Sequence, residues 1–399
     1  MSDYSIQREK LAQSVGILSE TGVDVWLTFV RETAHNADPA LALILGFDVT
    51  WSSAFLVTRS GRKIAIVGRY DVVNVQGMGG YDEVIGYDQS IEPALIRILD
   101  EIAPRQVAVN YSESDSAADG LSHGMYLTLQ RYLQGKPYAL VSAGAILNAL
   151  RGRKTPGEIA RLRAAVHLTE QIIDGITAML KPGLTEREIA DRIHAEFARC
   201  GVTPSWDPAY CPIVNCGPDS PMGHTEPSSN YVVQSGQIVH VDMGVTLNDY
   251  ISDMQRLWYV QPAGEASPSI PAPVQKAFDA VWAAIDAAAA VLKPGVQGWQ
   301  VDAASRQAIV AAGYPEYQHA VGHQVGRTVH DGATLLGPRW ERYGAAPEGI
   351  VEAGNCFTLE LGVHVPGYGV VSLEEEVLVT DHGLDWLTRP QREWMVVKA

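Results

Sequence analysis

The chain has 399 residues, 46% of them hydrophobic, which is enough for two domains with buried cores and excludes a disordered protein. Its formal net charge of −16 argues against a nucleic-acid or anionic-membrane partner. No apolar run approaches the length of a membrane span, the start Met1-Ser2-Asp3-Tyr4-Ser5 lacks the basic and apolar regions of a secretory signal, and four scattered cysteines (Cys200, Cys211, Cys216, Cys356) are too few for a disulfide framework, so a cytoplasmic location with reduced thiols is expected.

Residues 1–150 read as a mixed α/β domain. A helix is expected over 6–21 and a strand over 24–30. Residues 54–58 pair with 63–67 across Arg59-Ser60-Gly61-Arg62, and a helix over 91–102 precedes a strand over 106–110. No chemical motif is legible in this part. The polar, turn-rich stretch Arg151-Gly152-Arg153-Lys154-Thr155-Pro156-Gly157 marks the boundary to a second domain, 151–399.

From Glu158 an amphipathic helix carries Ile159, Leu162, Val166, Ile173, Ile176 and Leu180 on one stripe and stops at Lys181-Pro182-Gly183. Thr185 and Glu188 form a capping box that opens a second helix with Ile189, Ile193 and Phe197. The unit then recurs 112 residues later: Leu180-Lys181-Pro182-Gly183 returns as Leu292-Lys293-Pro294-Gly295, Ile173 as Ile285, Ile189 as Val301, Phe197 as Ile309 and Gly201 as Gly313. One shared tetrapeptide could be chance; a constant offset at five places implies a duplicated α/β half-domain.

Each copy is followed by a hairpin that bears a carboxylate pair. Asp242 ends the run Ile238-Val239-His240-Val241, and a reversal at Leu247-Asn248 sets it opposite Asp253. Strands over 356–364 and 370–379 reverse about Gly367, which sets Glu360 opposite Glu374. Four converging carboxylates repel one another, and divalent cations are the simplest remedy. An oxygen-rich set with one imidazole and no sulfur suits Mn²⁺, Co²⁺ or Zn²⁺. His167 and His194 fall within helices, and His240 is read as facing away from Asp242; all three are taken as structural.

These features resemble the pita-bread metallopeptidases, which include Xaa-Pro dipeptidases (prolidases), Xaa-Pro aminopeptidases and methionine aminopeptidases. The resemblance rests on Val241-Asp242-Met243-Gly244, on Tyr250-Ile251-Ser252-Asp253-Met254-Gln255-Arg256, and on His319-Ala320-Val321-Gly322-His323-Gln324-Val325-Gly326 through His330-Asp331. Phe357-Thr358-Leu359-Glu360 and Leu373-Glu374-Glu375-Glu376-Val377-Leu378-Val379-Thr380 complete it. It implies an α/β (α+β) fold with a creatinase-like N-terminal domain and a duplicated pita-bread catalytic domain. It also implies two divalent ions per chain, with manganese foremost and cobalt or zinc as alternatives. Asp242 and Asp253 would hold one ion, His323 and Glu360 the other, and Asp253 and Glu374 would bridge them. A water or hydroxide between ions about 3.5–4 Å apart is then the nucleophile, with Glu360 as its proton acceptor. His224 and His330 occupy the motif positions of two histidines that flank the scissile bond. Tyr210 matches a substrate-contacting tyrosine, and Arg339 and Arg342 lie in the segment that would supply a clamp for the substrate carboxylate.

The substrate implied is a small peptide containing proline, and a homodimer is implied as well. The chain departs from the family pattern at Leu361 (commonly Pro), Ser372 (commonly Arg) and Gln255 (often Thr). These departures leave the ligands intact and bear on specificity. Hydrolysis of Xaa-Pro dipeptides is the activity expected first, then Xaa-Pro aminopeptidase activity on longer peptides, then hydrolysis of a small non-peptide C–N substrate. A binding module without catalysis is disfavoured because every ligand position is filled.

Overall fold

The computed structural model describes residues 3–398 apart from residue 224 and residues 265–268. Two compact units divide the chain, Met1–Arg151 and Gly152–Ala399.

The first unit comprises α1 (Ser5–Thr21), β1 (Val25–Val30), α2 (Leu41–Ile44), β2 (Ser53–Thr58), β3 (Lys63–Gly68), α3 (Val72–Met78), β4 (Glu83–Tyr87), α4 (Glu92–Ile102), β5 (Gln106–Val109), α5 (His123–Tyr132), β6 (Ala139–Ser142) and α6 (Gly144–Gly152). Its six strands run in the order β4-β3-β2-β1-β5-β6. The two pairings β1–β2 and β2–β3 are antiparallel; the three outer ones are parallel. Every residue of β1 is buried, because helices cover both faces of the sheet. One face packs Trp26 and Phe55 with Leu11 and Leu147, and the other packs Leu27 and Leu56 with Ile98 and Leu129. The helix and strand positions expected from sequence are all present. Those not foreseen include the sheet edges β4 and β6, whose residues are half-exposed or exposed.

The second unit begins with α7 (Pro156–Met179) and α8 (Glu186–Cys200) and continues through β7 (Thr203–Pro204), β8 (Ile213–Cys216), β9 (Ile238–Met243), β10 (Val245–Leu247), β11 (Tyr250–Ile251) and β12 (Met254–Gln261). Then come α9 (Ala272–Val291), α10 (Gly298–Ala311), β13 (Gly322–His323), β14 (Leu335–Leu336), β15 (Cys356–Val365), β16 (Gly369–Thr380), β17 (Gly383–Trp386) and β18 (Met395–Lys398). Thr185 and Glu188 make the capping box read from sequence, and Thr155 with Glu158 makes another at the start of α7.

The duplication is visible in the hydrogen bonds. After α7, Gly183 N donates to Val233 O at 2.9 Å; after α9, Gly295 N donates to Val351 O at 2.9 Å. Bridges Thr185↔Val232 and Gln297↔Ile350 repeat the arrangement. The main sheet runs β15-β16-β12-β9-β8, with β17 on β16 and β18 on β12. Phe278, Ile285, Val301 and Ile309 of the second helix pair pack beneath Leu359, Leu361 and Leu373.

The second hairpin has the register expected from sequence, with Glu360 opposite Glu374. The first does not. Asp242 lies opposite Gln255, and the turn falls at Asn248-Asp249, between Leu247 and Tyr250. Both turn residues adopt positive φ, 50° and 67°. A two-residue hairpin loop requires that conformation, and Asn and Asp tolerate it far better than Leu247 would. The resulting shift of two residues leaves every side chain on its expected face, so Asp242 and Asp253 remain diagonal neighbours. Ser252 keeps one bond to the facing strand, its N–H donating to Val245 O at 3.1 Å, and Asp253 steps out of the ladder before β12. Gly244 makes room for that step, since a Cβ there would sit 1.7 Å from Ser252 O.

Placing a β-branched residue in this turn, as in Asp249→Val, should lower the melting temperature of the second unit by roughly 2–4 °C for a cost of about 1 kcal/mol, while Asp249→Gly should not. Calorimetry of the two variants tests the register: equal melting would put the reversal elsewhere.

Candidate metal centre

Strands β9, β12, β16 and β15 and the short β13 bring five potential ligands to one place. Asp242 is on β9, Asp253 immediately precedes β12, Glu374 is on β16 and Glu360 on β15. His323 is delivered by backbone pairing to β15: its N–H reaches Thr358 Oγ1 at 3.1 Å, and Glu360 N donates to Val321 O at 2.8 Å. His323 Nε2 then stands 3.5 Å from Glu360 Oε1 and 3.8 Å from both Asp253 Oδ2 and Glu374 Oε1. Ligand atoms around a divalent ion with bonds of about 2.1 Å stand roughly 3.0–3.5 Å apart, so a small contraction around the ion suffices. One ligand atom each from Asp253, His323 and Glu374 falls within a mutual 4.8 Å.

The electrostatics ask for positive charge. Burial raises Asp242, and the charge of Glu360 adds to it. Burial also raises Asp253 and Glu374, each pushed further by neighbouring cage carboxylates. Glu360 is pushed up to about 7 by burial, against a hydrogen bond from Gln255 that lowers it. Burial, with help from His330, pushes His323 down to about 3, so its imidazole is neutral and free to ligate. Asp242 Oδ1 is buried and has no hydrogen-bond partner among the described residues. An orphaned carboxylate oxygen beside three others fits a cation.

Three buried polar groups surround the ligands. Glu376, on the same face of β16 as Glu374, accepts Asp253 N–H at 2.6 Å and is pushed by burial to about 8. Gln255 Nε2 donates to Glu360 Oε2 at 3.2 Å and to Glu374 Oε2 at 3.1 Å. His240 Nε2 lies 3.1 Å from Gln255 Oε1 and its Nδ1 2.9 Å from Asn215 Oδ1. The reading of His240 as facing away from Asp242 is therefore corrected: residues two apart on a strand share a face. Burial pushes its pKa down to about 4 and outweighs the bond to Gln255.

His330 stands edge-on to His323, with ring centroids 4.6 Å apart at 89°. The loop that carries it is tied by Asp331, whose carboxylate accepts Arg327 N–H at 2.8 Å and faces the wholly buried Lys154 ammonium at 3.3 Å. His224 lies outside the described residues. The other expected substrate contacts do not join the cluster. Tyr210 is 39% exposed, and its carbonyl accepts the Trp206 indole N–H. The Arg339 guanidinium lies 4.3 Å above the Trp299 ring. Arg342 stacks on Trp340 and Tyr343 and donates to Gln318 O. Tyr317 was not foreseen; burial and the charges of Glu360, Glu374 and Asp242 push its phenol up, so it lies within the field of the cage.

A duplicated α/β unit that focuses four carboxylates and one imidazole on a buried point defines a metal-dependent hydrolase of the pita-bread type. The sequence model of metallopeptidase family M24 matches residues 160–381, and the chain belongs to that family. An uncharacterized peptidase of Staphylococcus aureus (strain MSSA476) is 26% identical over 345 residues, covering 85% of this chain and 88% of that one. Among solved structures, an Xaa-Pro dipeptidase from Bacillus anthracis superposes with a TM-score of 0.73 at 23% identity over 98% of this chain and 100% of its own. An X-Pro aminopeptidase from Thermotoga maritima gives 0.72 at 22% identity, over 94% and 98%. These likenesses establish the fold as the two-domain pita-bread architecture.

Protons and metal ions compete for the cage. Glu360 takes up a proton below about pH 7, whereas His323 stays neutral down to about pH 3. The apparent Mn²⁺ affinity should therefore fall by about tenfold per pH unit for each proton displaced below pH 7. Titrations between pH 5.5 and 8 check this, and a flat profile would deny that the raised carboxylates are the ligands.

Proposed function

We propose that the protein is a metal-dependent Xaa-Pro dipeptidase that cleaves the bond before a C-terminal proline. The observation that carries the reading is the convergence of Asp253, Glu360 and Glu374 on His323 Nε2, within a chain of metallopeptidase family M24. The Xaa-Pro dipeptidase among its structural neighbours supports the substrate class.

In this reading Asp242, Asp253, His323, Glu360 and Glu374 would hold two divalent ions, manganese first. Bound there, the ions would supply an activated water and polarise the scissile carbonyl. Glu360 would take the proton from the attacking water. His330, edge-on to His323, would donate to the carbonyl oxygen as it gains charge, and His224 would serve the same bond. Tyr210, Arg339 and Arg342 remain proposed substrate contacts. The stacking of each guanidinium on an aromatic face leaves in-plane N–H donors that can meet a substrate carboxylate. The protein works as a cytoplasmic homodimer on small proline-containing peptides, with no nucleic-acid or membrane partner.

The test strips the protein with chelator, restores Mn²⁺, Co²⁺ or Zn²⁺ separately, and compares Ala-Pro, Leu-Pro and Ala-Pro-Ala. Metal-dependent release of proline from the dipeptides alone is expected. Cleavage of the tripeptide would make the protein an aminopeptidase, in line with its likeness to the Thermotoga maritima enzyme. Bound ions without hydrolysis would redirect the search to a small C–N substrate. In the active protein, Glu360→Gln should lower kcat by roughly 10²–10⁴-fold.

A further inference from the structure

Gln255 enters the cage from β12, the strand between β9 and β16, where the register sets it opposite Asp242 on one side and Glu374 on the other. It is 6% exposed, and both ends of its amide are used. The nitrogen has two protons and two acceptors, Glu360 Oε2 and Glu374 Oε2, at 3.2 and 3.1 Å. The oxygen accepts from Ser372 Oγ at 2.5 Å and faces His240 Nε2 at 3.1 Å. A reversed amide would turn its oxygen on two carboxylates, so the cage itself fixes the orientation.

The other oxygens of the same two glutamates face His323 Nε2, Glu360 Oε1 at 3.5 Å and Glu374 Oε1 at 3.8 Å. One amide thus sorts four oxygens into two sets, a pair turned to the imidazole and a pair tied to Gln255. The orphaned Asp242 Oδ1 belongs to neither.

We propose that Gln255 is a positioning residue for the metal centre: by tying Oε2 of Glu360 and Glu374 it presets their Oε1 atoms for one ion at His323, and it competes for Glu374 Oε2 with a second ion beside Asp242. This rests on reading the cage as a metal centre. The first ion meets two glutamates whose rotamers are already fixed, and each Oε1 keeps its lone pairs free. The second ion must share Glu374 Oε2 with an amide proton. Two ions should therefore bind in unequal steps, with the inequality set by one side chain.

Metal-free protein titrated with Mn²⁺, the free ion read by electron paramagnetic resonance, should show two unequal steps. Co²⁺ titration followed by its visible absorption should show the same. Gln255→Leu should weaken the first step by roughly 10–100-fold and narrow the gap between the steps. Ser372→Ala removes only one support of the amide oxygen; it should keep the fold and weaken the first step by about fivefold. Ser372→Thr, which keeps a hydroxyl, should bind like the unaltered protein. First-step affinities within about twofold of the unaltered protein in both Gln255→Leu and Ser372→Ala overturn the proposal. So does an equal weakening of both steps, the mark of a merely structural loss. No uptake of either metal by the unaltered protein overturns this and the metallopeptidase reading together, which separates the two failures.

Discussion

Repulsion among buried carboxylates is the constraint on which this structure turns. Asp242, Asp253, Glu360 and Glu374 lie together on one face of the main sheet; burial raises all four acids, and neighbouring carboxylates push Asp242, Asp253 and Glu374 further. Such a cluster persists only if the scaffold forbids it to spread, and two hairpins do that. Glu360 and Glu374 are locked opposite each other by a continuous ladder from Cys356↔Leu378 to Val365↔Gly369. Asp242 and Asp253 are held by a tighter device, a turn in left-handed conformation followed by a step out of the ladder that only Gly244 permits.

The duplication explains why two hairpins exist. Each half contributes a helix pair, a Leu-Lys-Pro-Gly break and a carboxylate strand, and the repeated bond from the glycine after the first helix fixes where that strand begins. Val232 and Ile350 occupy equivalent bridges, and Asp242 and Glu360 lie ten residues beyond each, so the two acids are the same position of the repeat used twice. His323 has no counterpart of this kind. It arrives on β13, paired to β14 and held against β15, and it makes the cage asymmetric.

Much of this was legible in the sequence because its elements obey local rules. The 112-residue offset, the Thr185 capping box and the Glu360–Glu374 register depend on nearby residues with strong preferences. Composition alone does not place the turn of the first hairpin, because Leu247-Asn248 and Asn248-Asp249 look alike; only the second puts tolerant residues at both left-handed sites. His240 follows the two-residue period of a strand, which puts it on the face of Asp242. Gln255 was visible only as an exception to a pattern. Its use of both amide ends depends on Ser372 and Glu374, far along the chain, which no local signal joins to it. The stacking of Arg339 and Arg342 on Trp299, Trp340 and Tyr343 likewise depends on packing between segments.

Three successive glutamates on β16 show how one strand accommodates adjacent buried acids by three different means. Glu374 turns into the cage, where Gln255 and a cation can answer it. Glu375, on the opposite face, meets Arg256 Nη2 at 3.0 Å and accepts from Thr388 Oγ1 and Gln391 N. Glu376 returns to the cage side and takes the Asp253 backbone N–H. Strand alternation keeps the guanidinium of Arg256 on the far face, yet its Nη1 also donates to the carbonyls of Gln255 and Glu374. Arg256 therefore steadies the backbone under both the amide and the ligand without adding a positive charge inside the cage. That separation matters: a cation fixed among the carboxylates would satisfy them permanently, and the site would have no reason to take up a metal ion.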